Sequence, residues 1–297
     1  MAESDPDIVV IGRAYLAHLA DLVPERARVV VDLDEDDMRS CASQARERRR
    51  ADPIGAQWLV QEGEATRRLI DRAASRIALT LAAAPADAIA LRRRHPGLPV
   101  ACIPNAVRRP AARAGRSIGG MALQGPTILF IGALGYEPNI RGIFWFARTV
   151  MPRLRRVFPS LRLLIAGARP DPRLRWLARA PGISLFADPV SIDPLYAQAS
   201  LVVAPLFDGG GTRIKLIEAA ARGKRVVATS VAMAGLGALP DIVCAPALAG
   251  PFARACLLAL ERQGGPPPPQ IPRRFDAAFA IPALAQRLAK LTDPVPL

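Results

Sequence analysis

The 297-residue chain is short of several residue types that would point to particular chemistries. Histidine occurs twice, as His18 and His95, which excludes a histidine-rich metal centre. The four cysteines, Cys41, Cys102, Cys244 and Cys256, form no C-x-x-C pair. They read as reduced thiols of a cytosolic protein, with Cys102 and Cys244 inside apolar runs and therefore expected to be buried. Aromatic residues are 5% of the chain, so no row of basic and aromatic side chains interleaves as single-stranded nucleic acid would need. Zinc-finger spacing is absent too. No apolar run is long enough for a membrane-spanning helix. The opening Met1-Ala2-Glu3-Ser4-Asp5-Pro6-Asp7 is acidic, the reverse of a signal peptide. Lysine is scarce: Lys215, Lys224 and Lys290 are the only three.

Arginine is abundant. Of 40 basic residues, 3 are lysine and 37 are arginine; against 26 acidic residues the formal net charge is +14. That excess fits an anionic partner: a phosphorylated substrate, nucleic acid or an acidic membrane surface. It fits equally an arginine- and alanine-rich composition that places arginines on solvated helix faces. The hydrophobic fraction of 51% excludes a disordered chain, and the length allows one large domain or two ordinary ones.

Apolar runs bounded by turn residues alternate with helical periodicity. Ile8–Gly12, Val29–Leu33, Arg76–Leu81 and Pro99–Pro104 read as strands, with a charged helical stretch over 38–76 and a short helix over 86–94 between them. His18 lies on a helical pattern and reads as a surface or packing residue. Residues 108–126 break the rhythm as a linker. A more regular series follows: strands at 127–132, 161–167, 183–186, 201–205, 225–229 and 242–244, with helices at 139–157, 172–180, 193–198 and from Gly209 to about Arg222. Strands buried on both faces and separated by helices imply parallel sheets. The proline-rich 264–273 is a stiff connector, and 281–291 is a last amphipathic helix.

Asp208-Gly209-Gly210-Gly211-Thr212-Arg213-Ile214-Lys215-Leu216-Ile217-Glu218-Ala219 stands between a strand and a helix. Three glycines permit close backbone approach to a ligand, and a helix start offers free N–H groups to a phosphate. Thr212 is placed to cap the helix. Arg213 and Lys215 add positive charge, and Glu218 can accept two hydroxyl donors such as a ribose diol. An ordinary strand–loop–helix corner, with Glu218 on a wet face, would look the same. The segment matches neither a Walker A loop nor G-x-G-x-x-G.

With these residues in view, 127–236 resembles the donor domain of family-4-type (group 1) glycosyltransferases of the GT-B fold. The resemblance is carried by Phe130-Ile131-Gly132-Ala133-Leu134, Tyr136-Glu137-Pro138-Asn139, Leu163–Gly167, Ala204-Pro205-Leu206, the glycine-rich segment and Gly223–Thr229. Ile103-Pro104-Asn105-Ala106-Val107 and Arg273-Arg274-Phe275-Asp276 extend it more weakly to both ends. The resemblance implies sugar transfer from a nucleotide-diphosphate sugar, with retention of configuration and no metal or other cofactor. It implies donor contacts at Gly132, Asn139, Gly209, Gly210, Gly211, Thr212, Arg213, Lys215 and Glu218. Glu218 matches the second glutamate of the family's E-x7-E motif, which binds ribose. The first falls on Gly210, as in a subgroup with Gly-Gly-Gly-Thr-Arg. Where the family often has an arginine and a lysine after the first donor-domain strand, this chain has Ala133 and Tyr136–Asn139. Arg213 and Lys215 are the substitutes.

Val31-Asp32-Leu33-Asp34-Glu35-Asp36-Asp37 follows the second strand. Similar enzymes often carry a histidine at the place of Asp34, close to the transferred sugar; Asp34 reads as a substrate-facing residue and is the one catalytic candidate. A D-x-D metal site and a solvated acidic helix start are the competing readings.

The expectation is an α/β chain of two Rossmann-like units facing across a cleft. The first, 1–112, is an incomplete acceptor-side unit that opens partway through the family's usual domain. The second, 113–270, binds the donor, and 271–297 packs back on the first. The expected partners are a nucleotide-sugar donor, a carbohydrate or lipid-linked acceptor and an anionic membrane touched peripherally, with no nucleic acid. The expected location is cytoplasmic, at or near the inner membrane face. The alternative is a non-catalytic nucleotide-sugar-binding or interaction module derived from such an enzyme.

Overall fold

The structure, a computed structural model, describes residues 6–110, 125–208, 213–262, 268 and 270–292. The described residues fall into two compact units. One lies within Met1–Ala106, Asp208–Thr212 and Arg273–Leu297, the other within Val107–Phe207 and Arg213–Pro272.

The first unit has four parallel strands, β1 (Ile8–Gly12), β2 (Arg28–Asp34), β3 (Ile77–Ala82) and β4 (Val100–Cys102), in the order β1-β2-β3-β4. Neighbours in space are neighbours in sequence, so right-handed crossovers place every connection on one face. There Val29, Val31 and Leu33 pack with Ala14, Ala17 and Ala20 of a 3-10 segment, with Ile70 and with Leu91. Side chains alternate along a strand, so Val30, Leu79, Leu81 and Ala101 face the other way. Leu284, Leu288 and Leu291 cover them from the C-terminal segment, whose helix spans Ala277–Ala289.

The charged helical stretch over 38–76 divides into two helices. α1 (Asp37–Arg48) and α2 (Pro53–Ala73) form a hairpin. Proline cannot donate inside a helix but suits its first turn, and Asp52 caps α2 by accepting from the Gly55 N–H at 2.8 Å. α3 (Pro85–Arg94) links β3 to β4.

The second unit has six parallel strands: β5 (Thr127–Ile131), β6 (Arg162–Gly167), β7 (Ile183–Ala187), β8 (Leu201–Ala204), β9 (Val226–Ala228) and β10 (Ile242–Cys244). Their spatial order is β10-β9-β8-β5-β6-β7. From its first strand the unit winds outward twice, once toward β7 and once toward β10, which is the dinucleotide-fold order. The crossover helices are α4 (Glu137–Trp145) running through a π turn (Phe146–Val150) into α5 (Met151–Arg155), then α6 (Pro172–Leu177), α7 (Asp193–Gln198), α8 (Ile214–Ala221), α9 (Ser230–Met233) and α10 (Ala249–Glu261). The π turn ends just before Pro152, whose missing N–H disrupts regular winding. The C-terminal helix of the first unit is α11 (Ala277–Ala289).

Three sequence readings change. α10 was unassigned, although Phe252, Ala253 and Cys256 bury it against the core. The last helix starts at Ala277, four residues before the expected 281, because Asp276 caps it by accepting from the Ala278 N–H at 3.1 Å. Cys244 is exposed and Cys102 only partly buried, because β10 and β4 are edge strands; Cys41 and Cys256 are the buried thiols. Most of the expected linker and part of the proline-rich connector lie outside the described residues.

Candidate active site

The winding of the second sheet reverses between β5 and β8. Ligands of such folds collect at the carboxyl ends of the strands beside that switch point. β5 ends at Ile131 and passes into Gly132, where the backbone is crowded. A Cβ on Gly167, at the end of β6, would sit 1.7 Å from the Gly132 carbonyl oxygen. A Cβ on Gly132 would meet Asn139 Nδ2 at 2.9 Å and Lys215 Nζ at 3.0 Å. Glycine at both positions lets two strand ends and two side chains share one small volume.

Lys215 lies in the first turn of α8 and is 9% exposed. Its Nζ donates to Asn139 Oδ1 at 2.7 Å and lies 4.4 Å from the centre of the Phe130 ring. Asn139 is itself buried, and its Nδ2 donates to the Ala133 carbonyl at 2.8 Å. The amide therefore presents its oxygen to the lysine. No carboxylate pairs with Lys215 among the described residues. Burial, with the nearby positive charge of Arg213, pushes its pKa down to about 7; Glu218 works weakly the other way. A neighbour of opposite charge would restore the ammonium.

Lys215 and Glu218 are three residues apart and share a face of α8. Glu218 is half-buried. Tyr196 donates its hydroxyl to Glu218 Oε2 at 3.3 Å, and Arg222 stacks 4.7 Å from the Tyr196 ring while bonding Asp193 at 2.6 Å. Burial pushes the Glu218 carboxyl above its usual range, against the pull of Arg222. Sequence reasoning missed Tyr196, Arg222 and Asp193, since α7 carries no motif and only folding brings it beside α8.

Gly132, Asn139 and Lys215 thus meet, with Glu218 one turn further along α8. Arg213 is partly buried at the N-cap position and makes no side-chain cap. Gly209, Gly210, Gly211 and Thr212 lie outside the described residues. Lys215 reaches the end of β5 from α8.

In the first unit the acidic run divides. Asp34 has a left-handed backbone (φ 60°), accepts from Asn105 Nδ2 at 2.7 Å and lies 3.4 Å from Arg13 Nη1. Asp32 Oδ1 accepts from the Asp34 N–H at 3.1 Å. The solvated helix-start reading fails for Asp36, which is 2% exposed and clasped by Arg94 at 2.8 and 2.9 Å. Burial raises the Asp37 pKa to about 6. Among the described residues no group of three or more His, Cys, Asp or Glu side chains is placed to hold a metal ion. No helix among them is long and apolar enough to cross a membrane.

Comparison with known proteins bears on the fold. Residues 125–262 match the family described as "Glycosyl transferases group 1". An "Uncharacterized 44.6 kDa protein in cps region" of Klebsiella pneumoniae is 26% identical over 118 residues, covering 37% of this chain and 30% of that protein. This chain therefore spans less than a third of that curated relative's length. The sucrose-phosphate synthase of Thermosynechococcus elongatus superposes with a TM-score of 0.67 at 14% identity, covering 96% of this chain and 73% of that one. The Anabaena protein HepE, solved in complex with UDP and glucose, gives 0.64 at 14% identity, covering 95% and 77%. The chain has the GT-B fold of Rossmann-like glycosyltransferases, and its residues 125–262 are similar to the group 1 glycosyltransferase family.

Proposed function

We propose that the chain moves a hexosyl unit from a nucleotide-diphosphate sugar to a carbohydrate or lipid-linked acceptor with retention of configuration. The donor binds the second unit and the acceptor the first. The carrying observation is Lys215, a buried cation source with no carboxylate partner among the described residues, held by Asn139 at the switch point. A departing nucleoside diphosphate gathers negative charge, and a preorganised ammonium in a dry site stabilises that charge strongly. Arg213 adds to it. In this reading Lys215 and Arg213 neutralise the diphosphate without a metal. Glu218, braced by Tyr196, takes the ribose diol through its Oε1. Asn139 acts on Lys215 as a positioning residue, and Asp34 faces the sugar or the acceptor.

HepE was solved with UDP and glucose, and the curated relative is a cps-region protein. The first favours a uridine nucleotide donor and the second a role in polysaccharide assembly, which this reading places in the cytoplasm beside the membrane.

Thermal melting with nucleoside diphosphates tests donor binding, because a ligand that binds only the native state raises stability. A rise with UDP, and its loss in Lys215→Met, is expected. No rise with any nucleoside diphosphate overturns the reading. A rise with no sugar release from any donor identifies the non-catalytic binder instead.

A further inference from the structure

We propose that the tip of the α1–α2 hairpin is a docking surface for an anionic lipid bilayer. The proposal rests on the membrane-side location read above and says which part of the fold makes the contact. The tip carries Arg46, Arg48, Arg49 and Arg50, and none of the four pairs with a carboxylate among the described residues. Beyond the turn, α2 presents Ile54 (73% exposed) and Trp58 (69% exposed), four residues apart on one helix face. The carboxylates in the same stretch are Glu47, which is exposed, and Asp52, whose Oδ1 holds the Gly55 N–H. Four arginines less these two acids leave a local charge of +2.

Arginine in a last turn complements the helix dipole, which explains Arg46 and Arg48. It does not explain Arg49 and Arg50 beyond the helix, nor two large apolar side chains left in water beside them. A bilayer with acidic lipids accounts for both. Guanidinium groups fork onto lipid phosphates, while tryptophan and isoleucine enter the boundary between headgroups and acyl chains. Nucleic acid fits less well, because one tryptophan makes no stacking row and Ile54 has no polar edge to read. The tip stands on a rigid base, since the helices approach closely at Gly63, whose added Cβ would lie 3.2 Å from Met38 Cα.

The test is co-sedimentation of the full chain with vesicles of mixed phosphatidylcholine and phosphatidylglycerol, and with phosphatidylcholine alone. Wild type is expected to bind the anionic vesicles only and to leave them as salt rises. Arg49→Glu/Arg50→Glu should weaken that binding by about tenfold or more, and Trp58→Ser severalfold. Both variants should keep the wild-type thermal transition of the first unit, which shows an intact fold. Absence of wild-type binding overturns the membrane reading and the proposal together. Binding that the variants leave unchanged overturns the proposal alone. Displacement of the vesicles by an RNA oligonucleotide, lost in the same variants, assigns the tip to nucleic acid and overturns it too.

Discussion

Lys215 sets how the second unit responds to pH. Its pKa is pushed down to about 7 in the folded chain, against 10.5 for an exposed lysine. Below pH 7 both states carry the proton, and the fold bears the full cost of a buried ammonium, on the order of a few kcal/mol. Between pH 7 and about 10 the unfolded chain binds more protons, so stability rises with pH. Denaturant midpoints across that range should show the rise, and Lys215→Met should flatten it. A bound diphosphate reverses the preference. Nucleoside diphosphate binding then takes up a proton near neutrality, and affinity falls as pH climbs past 7. Glu218→Ala should weaken the same ligand about tenfold or more, as expected for losing charge-assisted hydroxyl contacts of roughly 1.5–3 kcal/mol each. Asp34→Ala lies in the other unit and should leave that affinity unchanged while lowering turnover. Calorimetric titration of both variants compares the two carboxylates directly.

Elements meet through small residues and caps, and their removal should be felt as stability. Gly167 ends β6 with φ 153°, and its added Cβ would fall on the Gly132 carbonyl. Gly167→Ala must move a central strand end, and a loss of about 3 kcal/mol or more is expected in denaturant unfolding. Asp52→Ala removes the cap of α2 and should cost about 1 kcal/mol. The hairpin also shows where periodicity misleads. Residues 38–76 are helical in pattern throughout, yet the chain reverses at Ala51-Asp52-Pro53. Helical charge pattern alone does not mark that break; the Asp-Pro pair does. α10 escaped for a related reason. Its apolar residues run nearly around the helix, Leu258 on the exposed side as well as Phe252 and Cys256 in the core, which blurs the amphipathic signal.

At the scale of the whole molecule, the two units have separate cores. One is built on Ile128, Phe130 and Phe252, the other on Val29, Val31 and Leu91. Heat should therefore unfold the chain in more than one step, and scanning calorimetry should resolve it. UDP is expected to raise the transition of the second unit and leave that of the first in place. A chelator should not reduce the shift, since Lys215 and Arg213 supply the positive charge in the proposed site.

Strand positions in both units were legible in the sequence. Runs such as Ile128–Ile131 and Leu163–Ala166 are apolar on both faces, as the interior of a parallel sheet requires. Lys215 and Glu218 were legible as residues of one helix opening behind the glycine-rich segment, because helical spacing is local. What lay beyond reach was every contact across sequence distance. Asn139 and Lys215 are 76 positions apart, and no local rule brings an amide oxygen to within 2.7 Å of that ammonium. Tyr196, Arg222 and Asp193 form their support of Glu218 only once α7 and α8 pack. The exposure of Cys244 likewise depends on β10 being an edge, which strand order decides and apolar composition does not. Periodicity is a property of neighbours in the chain. A pKa near 7 on a lysine, or a carboxylate held by a tyrosine, is a property of neighbours in space, and tertiary packing alone creates those.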